Sequence, residues 1–110
     1  MANIFFRKVS SNVGTTANTV GSYTVGGSTT SIVLGLALAN LTGATINASA
    51  FVANGTSLTY LIKNAPITTG GTLVVIGGDQ KLVLQTNDNV KIVSDTVNSI
   101  DAVMSIMEIT

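Results

Sequence analysis

The sequence contains no cysteine, no histidine and no tryptophan, has one proline, and carries charge at only 9% of its 110 positions. Without cysteine there can be no disulfide and no thiol chemistry. Without cysteine or histidine, zinc loses its usual ligands. Acid–base and nucleophilic catalysis lose two of their commonest side chains as well. Five basic residues, Arg7, Lys8, Lys63, Lys81 and Lys91, balance five acidic ones to a formal net charge of zero. Only Arg7 and Lys8 are adjacent, so no basic run tracks a phosphate backbone or an anionic membrane. The few aromatics, Phe5, Phe6, Tyr23, Phe51 and Tyr60, do not interleave with basic residues, and no stacking platform for nucleic acid is expected. Long apolar runs are missing too: the longest, Ile32–Leu41, is about half of a membrane span. The Phe5-Phe6 pair precedes Arg7-Lys8, the reverse of a secretory signal, so none is expected.

What is present is a vocabulary of strands and turns. A globular domain ordinarily has roughly 25% charged residues. Here Thr, Ser, Asn and Gly supply the polarity, and they favour turns and strands over helix interiors. Turn signals recur about every 8–12 residues, the rhythm of a sandwich or barrel. Strands are expected at Asn3–Val9, near Thr19–Val25, and at Ser31–Ala39, Ala44–Val52, Ser57–Lys63, Thr72–Ile76, Lys81–Gln85, Val90–Ser94 and Ile100–Ile109. Asn54-Gly55 is the strongest hairpin signal. Pro66 donates no ladder hydrogen bond and belongs on an edge or in a connection. The expected architecture is all-β: one antiparallel β-sandwich domain over residues 1–110, jelly-roll-like, with eight to nine short strands.

Period-two alternation predicts which side chains point inward. It places Ile32, Leu34, Leu36 and Leu38 on one face of their strand. The expected core is Leu34, Leu36, Leu38, Leu58, Tyr60, Leu82, Leu84 and Ile92. Ser31–Ala39 and Ile100–Ile109 are apolar on both faces, so the second face of each needs cover. Phe5 and Phe6 lie on opposite faces of the first strand, so either one fills the core and the other anchors a partner, or the strand is buried on both sides. The candidate partner contacts are Phe5, Phe6, Arg7 and Lys8 on the first strand, with Met107 and Ile109 on the last.

No constellation of chemistry-bearing residues emerges. Asp79, Asp88 and Asp95 fall in predicted turns, where Asp satisfies local backbone groups. Together with Asn87 they could hold calcium, but no EF-hand spacing exists, and turn capping explains them better. Gly77-Gly78-Asp79-Gln80-Lys81 lacks Walker spacing and joins strands, so it reads as a hairpin turn. Three N-x-[ST] triplets, at Asn40, Asn47 and Asn54, read as coincidence in a chain this rich in Asn, Ser and Thr. We expect no enzymatic activity, no cofactor and no metal.

Several segments resemble a family of small virion structural proteins of tailed bacteriophages. They are Asn64-Ala65-Pro66-Ile67, Leu73–Leu84, Asp88–Ile92, Ser105–Thr110, Ile4–Val9 and Val13–Thr16. The resemblance implies a β-sandwich built into the virion, either as a capsid decoration or cement protein or as a neck, collar, tail or fibre-associated protein. It implies self-association, with a trimer favoured, and the major capsid protein or other virion proteins as partners. It brings no catalytic residues. A carbohydrate- or receptor-binding module is the alternative on the same scaffold, with Tyr23 and Tyr60 as the available rings.

Overall fold

A computed structural model describes residues 3–110. Their ordered elements are nine β-strands: β1 (Asn3–Val13), β2 (Asn18–Thr24), β3 (Thr30–Asn40), β4 (Ile46–Asn54), β5 (Ser57–Ile67), β6 (Thr72–Ile76), β7 (Leu82–Leu84), β8 (Asn89–Ser94) and β9 (Ile100–Ile109). No helix occurs among the described residues. Antiparallel pairs are nested around the Gly55-Thr56 turn: β4 with β5, β3 with β6, β2 with β8, and β1 with β9. Bonding of β9 to β3 and of β8 to β4 gathers these pairs into two sheets. Sheet I runs β1-β9-β3-β6, with β7 beside β3, and sheet II runs β2-β8-β4-β5. Nested pairs divided between two packed sheets are the arrangement of a jelly roll.

The two inner faces share one core. Leu36, Leu38, Ile100, Met104 and Ile106 from sheet I meet Val20, Ile46, Ala50, Val90 and Ile92 from sheet II, all fully buried. Alternation predicts most of this, and β8 follows it strictly: Val90 and Ile92 point in while Lys91 points out. Pro66 lies on β5, an edge strand of sheet II, where its missing N–H leaves no interior ladder bond unmade.

On β3 the expected phase fails. Its inward residues are Ser31 and Val33, then Leu36, Leu38 and Asn40. The pairing with β9 slips between Val33 and Gly35, leaving Leu34 as an extra residue. A bulge of this kind exchanges the two faces of the strand beyond it. Leu34 is therefore half-buried and outside the core, and Ile32 points outward. A second slip, on β5, puts both Leu61 and Ile62 against the core and turns Leu58 and Tyr60 outward. The expected burial of Leu58 and Tyr60 is thereby corrected.

Tyr23 ties the sheets together. Its hydroxyl, carried on β2, lies 2.5 Å from Ser31 Oγ and donates to Glu108 Oε2 at 2.5 Å, both on sheet I. Burial, reinforced by the hydrogen bond to Glu108, pushes the phenol up to about 12. At the same corner, Gly21 (φ +59°) lets β2 pass against Lys8 of β1, where a Cβ would stand 2.4 Å from Lys8 Cβ.

Candidate interaction surface

In-register neighbours across an antiparallel sheet share a face. On sheet I the registers therefore define levels that cross all the strands. One outward level runs Phe5 (β1), Met107 (β9), Ile32 (β3) and Val83 (β7). Another runs Val9, Val103, Ala37 and Val74 across β1, β9, β3 and β6. Between them lies a level of Arg7, Ser105 and Gly35. The exposed members are well out in solvent, from Val103 at 47% to Phe5 at 68%.

These apolar side chains form two parallel bands on one face. With strands about 4.8 Å apart and about 3.3 Å per residue, the outer face of sheet I, four strands wide and about nine residues long, covers roughly 19 by 30 Å. That whole face is roughly 570 Å² in plane, and the two bands with the level between them, five residues along each strand, take up roughly 300 Å² of it, within the range for the largest apolar patch on an ordinary monomer. Sheet II is different. Its outward face carries Lys91 and Lys63, and Lys63 Nζ sits 5.0 Å from the Tyr60 ring centroid. Phe51 packs there against Tyr60, 5.0 Å between centroids, and is itself buried.

The outer face of sheet I collects four of the six expected partner contacts. Phe5, Arg7 and Met107 face outward, and Ile109 shares that side one level beyond Met107. Phe6 and Lys8 point the other way. Phe6 packs on the core and meets Tyr23 edge-on at 5.6 Å, while Lys8 Nζ lies 5.6 Å from the Phe6 ring and 5.9 Å from Tyr23. The sequence reading missed Val9, Val74, Val83 and Val103. The signal that could have found them is shared parity on the paired strands, which needs the register to be known.

The turn carboxylates act as local clamps. Asp88 accepts from Gln85 N at 2.9 Å and from Asn54 Nδ2 at 2.8 Å. Asp95 accepts from Asn47 N at 3.1 Å and from Thr96 Oγ1 at 3.0 Å. Those bonds, the Asn47 amide first, hold Asp95 below the usual carboxylate range. Asp101 accepts from Asn12 N at 3.0 Å, and Lys81 donates to the Gly78 carbonyl. The three triplet asparagines also use their side-chain amides internally. Asn40 is buried and donates to the Ala44 and Ile67 carbonyls, while Asn47 and Asn54 donate to Asp95 and Asp88. Among the described residues no pocket opens, and no three His, Cys, Asp or Glu side chains converge as metal ligands.

No protein-family model matches the chain, and no curated protein matches it. The fold and this face define the class: an all-β sandwich that presents an extended apolar sheet surface.

Proposed function

We propose that the chain is a structural protein of a tailed-phage virion, a decoration or cement protein that holds neighbouring subunits of the head shell through neutral contacts. The observation that carries this reading is the pair of apolar bands on sheet I, set in a chain of zero net charge. Such a face is suited to burial against protein, since water wets it poorly and it offers few charges to steer a polymer. The resemblance of Leu73–Leu84 and the other segments to phage virion proteins supplies the address. Binding only to the assembled shell would stabilise it by mass action. The reading assigns the chain no catalytic step and no cofactor. Tyr23 counts against the carbohydrate alternative, because its ring is buried and its hydroxyl is taken up by Ser31 and Glu108.

The test follows the protein on purified particles as ionic strength rises from about 0.1 M to about 1 M, which shortens the Debye length from ~10 Å to ~3 Å. The protein should stay with the particles throughout. Release at modest salt would refute the neutral-contact mechanism, and absence from the particles would refute the virion assignment.

A further inference from the structure

We propose that the outer face of sheet I pairs with the same face of a second copy of this chain, about a two-fold axis parallel to the strands and midway between β9 and β3. These are the two middle strands of the sheet, flanked by β1 on one side and by β6 and β7 on the other. A two-fold rotation there exchanges β9 with β3 and β1 with the β6/β7 edge, and it keeps every residue at its own level. Each apolar band then meets itself. Phe5 of one copy faces Val83 of the other, and Val103 faces Ala37, so large side chains meet smaller ones.

Charge selects the same axis. Arg7 stands on β1 at the polar middle level. At the opposite edge of that level no strand continues, because β6 ends at Ile76 beside Leu36 and β7 begins at Leu82 beside Val33. The Gly77–Lys81 connection joins the two strands past this edge and carries Asp79 and, two residues on, Lys81, whose ammonium is turned back onto the Gly78 carbonyl. The rotation sets Arg7 of each copy against the Asp79 connection of the other, giving two opposite-charge contacts per pair. Neither the Arg7 nor the Asp79 side chain has a hydrogen bond or ion pair among the described residues. A two-fold axis turned to lie across the strands would instead set Arg7 against Arg7. Size agrees as well: roughly 570 Å² in plane, before side-chain relief is added, approaches the roughly 800 Å² per partner of a stable interface. In the free chain an isologous pair closes on itself and leaves no sticky face exposed; a shell subunit would have to displace the second copy to reach the same face. It is a dimer, where the resemblance favoured a trimer.

The pairing is a property of the free chain and does not rest on the virion reading, which particle co-purification tests separately. Sedimentation of the purified protein over a dilution series should show a dimer that dissociates to monomer. Val103→Lys, at an exposed position, should give monomer at every concentration with an unchanged circular dichroism spectrum. Arg7→Asp and Asp79→Arg should each weaken the dimer at least about tenfold, because each puts like charges together. The double variant should recover to within about threefold of the original, since the swapped charges again attract. A monomer at all concentrations, a trimer, or a double variant as weak as the single ones would overturn the proposal.

Discussion

Leu34 and Leu36 stand two residues apart on β3, and strict alternation would give them the same surroundings. The bulge separates them. Leu36 is 1% exposed and sits in the core at the level of Met104 and Ile76. Leu34 is half-buried on the outer side. Truncating Leu36 to alanine removes its transfer free energy and leaves a cavity in a packed interior, for a loss of about 3–5 kcal/mol. Truncating Leu34 forfeits part of its burial and leaves no closed cavity, for a loss of about 1 kcal/mol. The gap of at least about 2 kcal/mol is well resolved by urea unfolding, where the slope stays constant if the unfolded state is unchanged. The titrations should be run at low protein concentration, so that association does not contribute. Equal losses for the two variants, or a larger one for Leu34→Ala, would falsify the bulge and restore simple alternation on β3.

Tyr23→Phe removes both hydroxyl contacts and leaves the Ser31 hydroxyl, which is 0% exposed, without that partner, so chemical denaturation should show a loss of about 1–3 kcal/mol. The phenol's folded-state value, about 12, lies above its ordinary 10, so its contribution is complete below about pH 10 and is lost as pH rises toward 12. Thermal melts of the native protein should fall across that window, and the Phe variant should lack this component of the fall. Gly21→Ala should destabilise severely, because the new Cβ meets Lys8 Cα at 3.1 Å as well as Lys8 Cβ; Gly55→Ala has open space and a positive φ, so it should cost only about 1 kcal/mol. Equal melting temperatures for these two variants would show that the β1–β2 corner is looser than described. Adding a chelator should leave the melting temperature unchanged, because the turn carboxylates bind backbone and side-chain amides; a large drop would point to a cation at those turns.

Strand positions were largely legible because turn residues punctuate the sequence. Ile100–Ile109 and Thr72–Ile76 fall where the alternation and the preceding turn residues put them, and Asn54-Gly55 marks its hairpin. Strand phase was legible only where no residue was inserted. On β3 the sole local hint of a bulge is Gly35, and glycines are too frequent here to single it out. On β5 the run Tyr60-Leu61-Ile62 is compatible with either phase, and only pairing with β4 decides which ring faces solvent. The interaction face was half legible for a related reason. Phe5 and Met107 stand out as large apolar residues, but Val74 and Val83 join them only through registers that link distant parts of the chain. The early segment yields one strand near its expected place, with Gly21 and Ser22 both at positive φ, a kink that nothing in their neighbours announces.

The nesting of strand pairs also sets an order of assembly. In the unfolded chain, bringing Asn3 to Ile109, its register partner, closes a loop of about a hundred residues, and closure entropy grows with loop length. Once β4 and β5 have met across their two-residue turn, the β3–β6 pair has only short connections left to close, and the same saving passes outward to β2–β8 and then to β1–β9. Loop closure therefore predicts folding as a zipper from the middle of the chain to its ends. Substitutions in the β4–β5 pair should slow folding, and those in the β1–β9 pair should mainly speed unfolding, a division that stopped-flow kinetics can measure. In this order the outermost pair, which carries Phe5, Arg7, Val9 and Val103, forms last, so the two apolar bands are assembled across the sheet only once the inner strand pairs are in place.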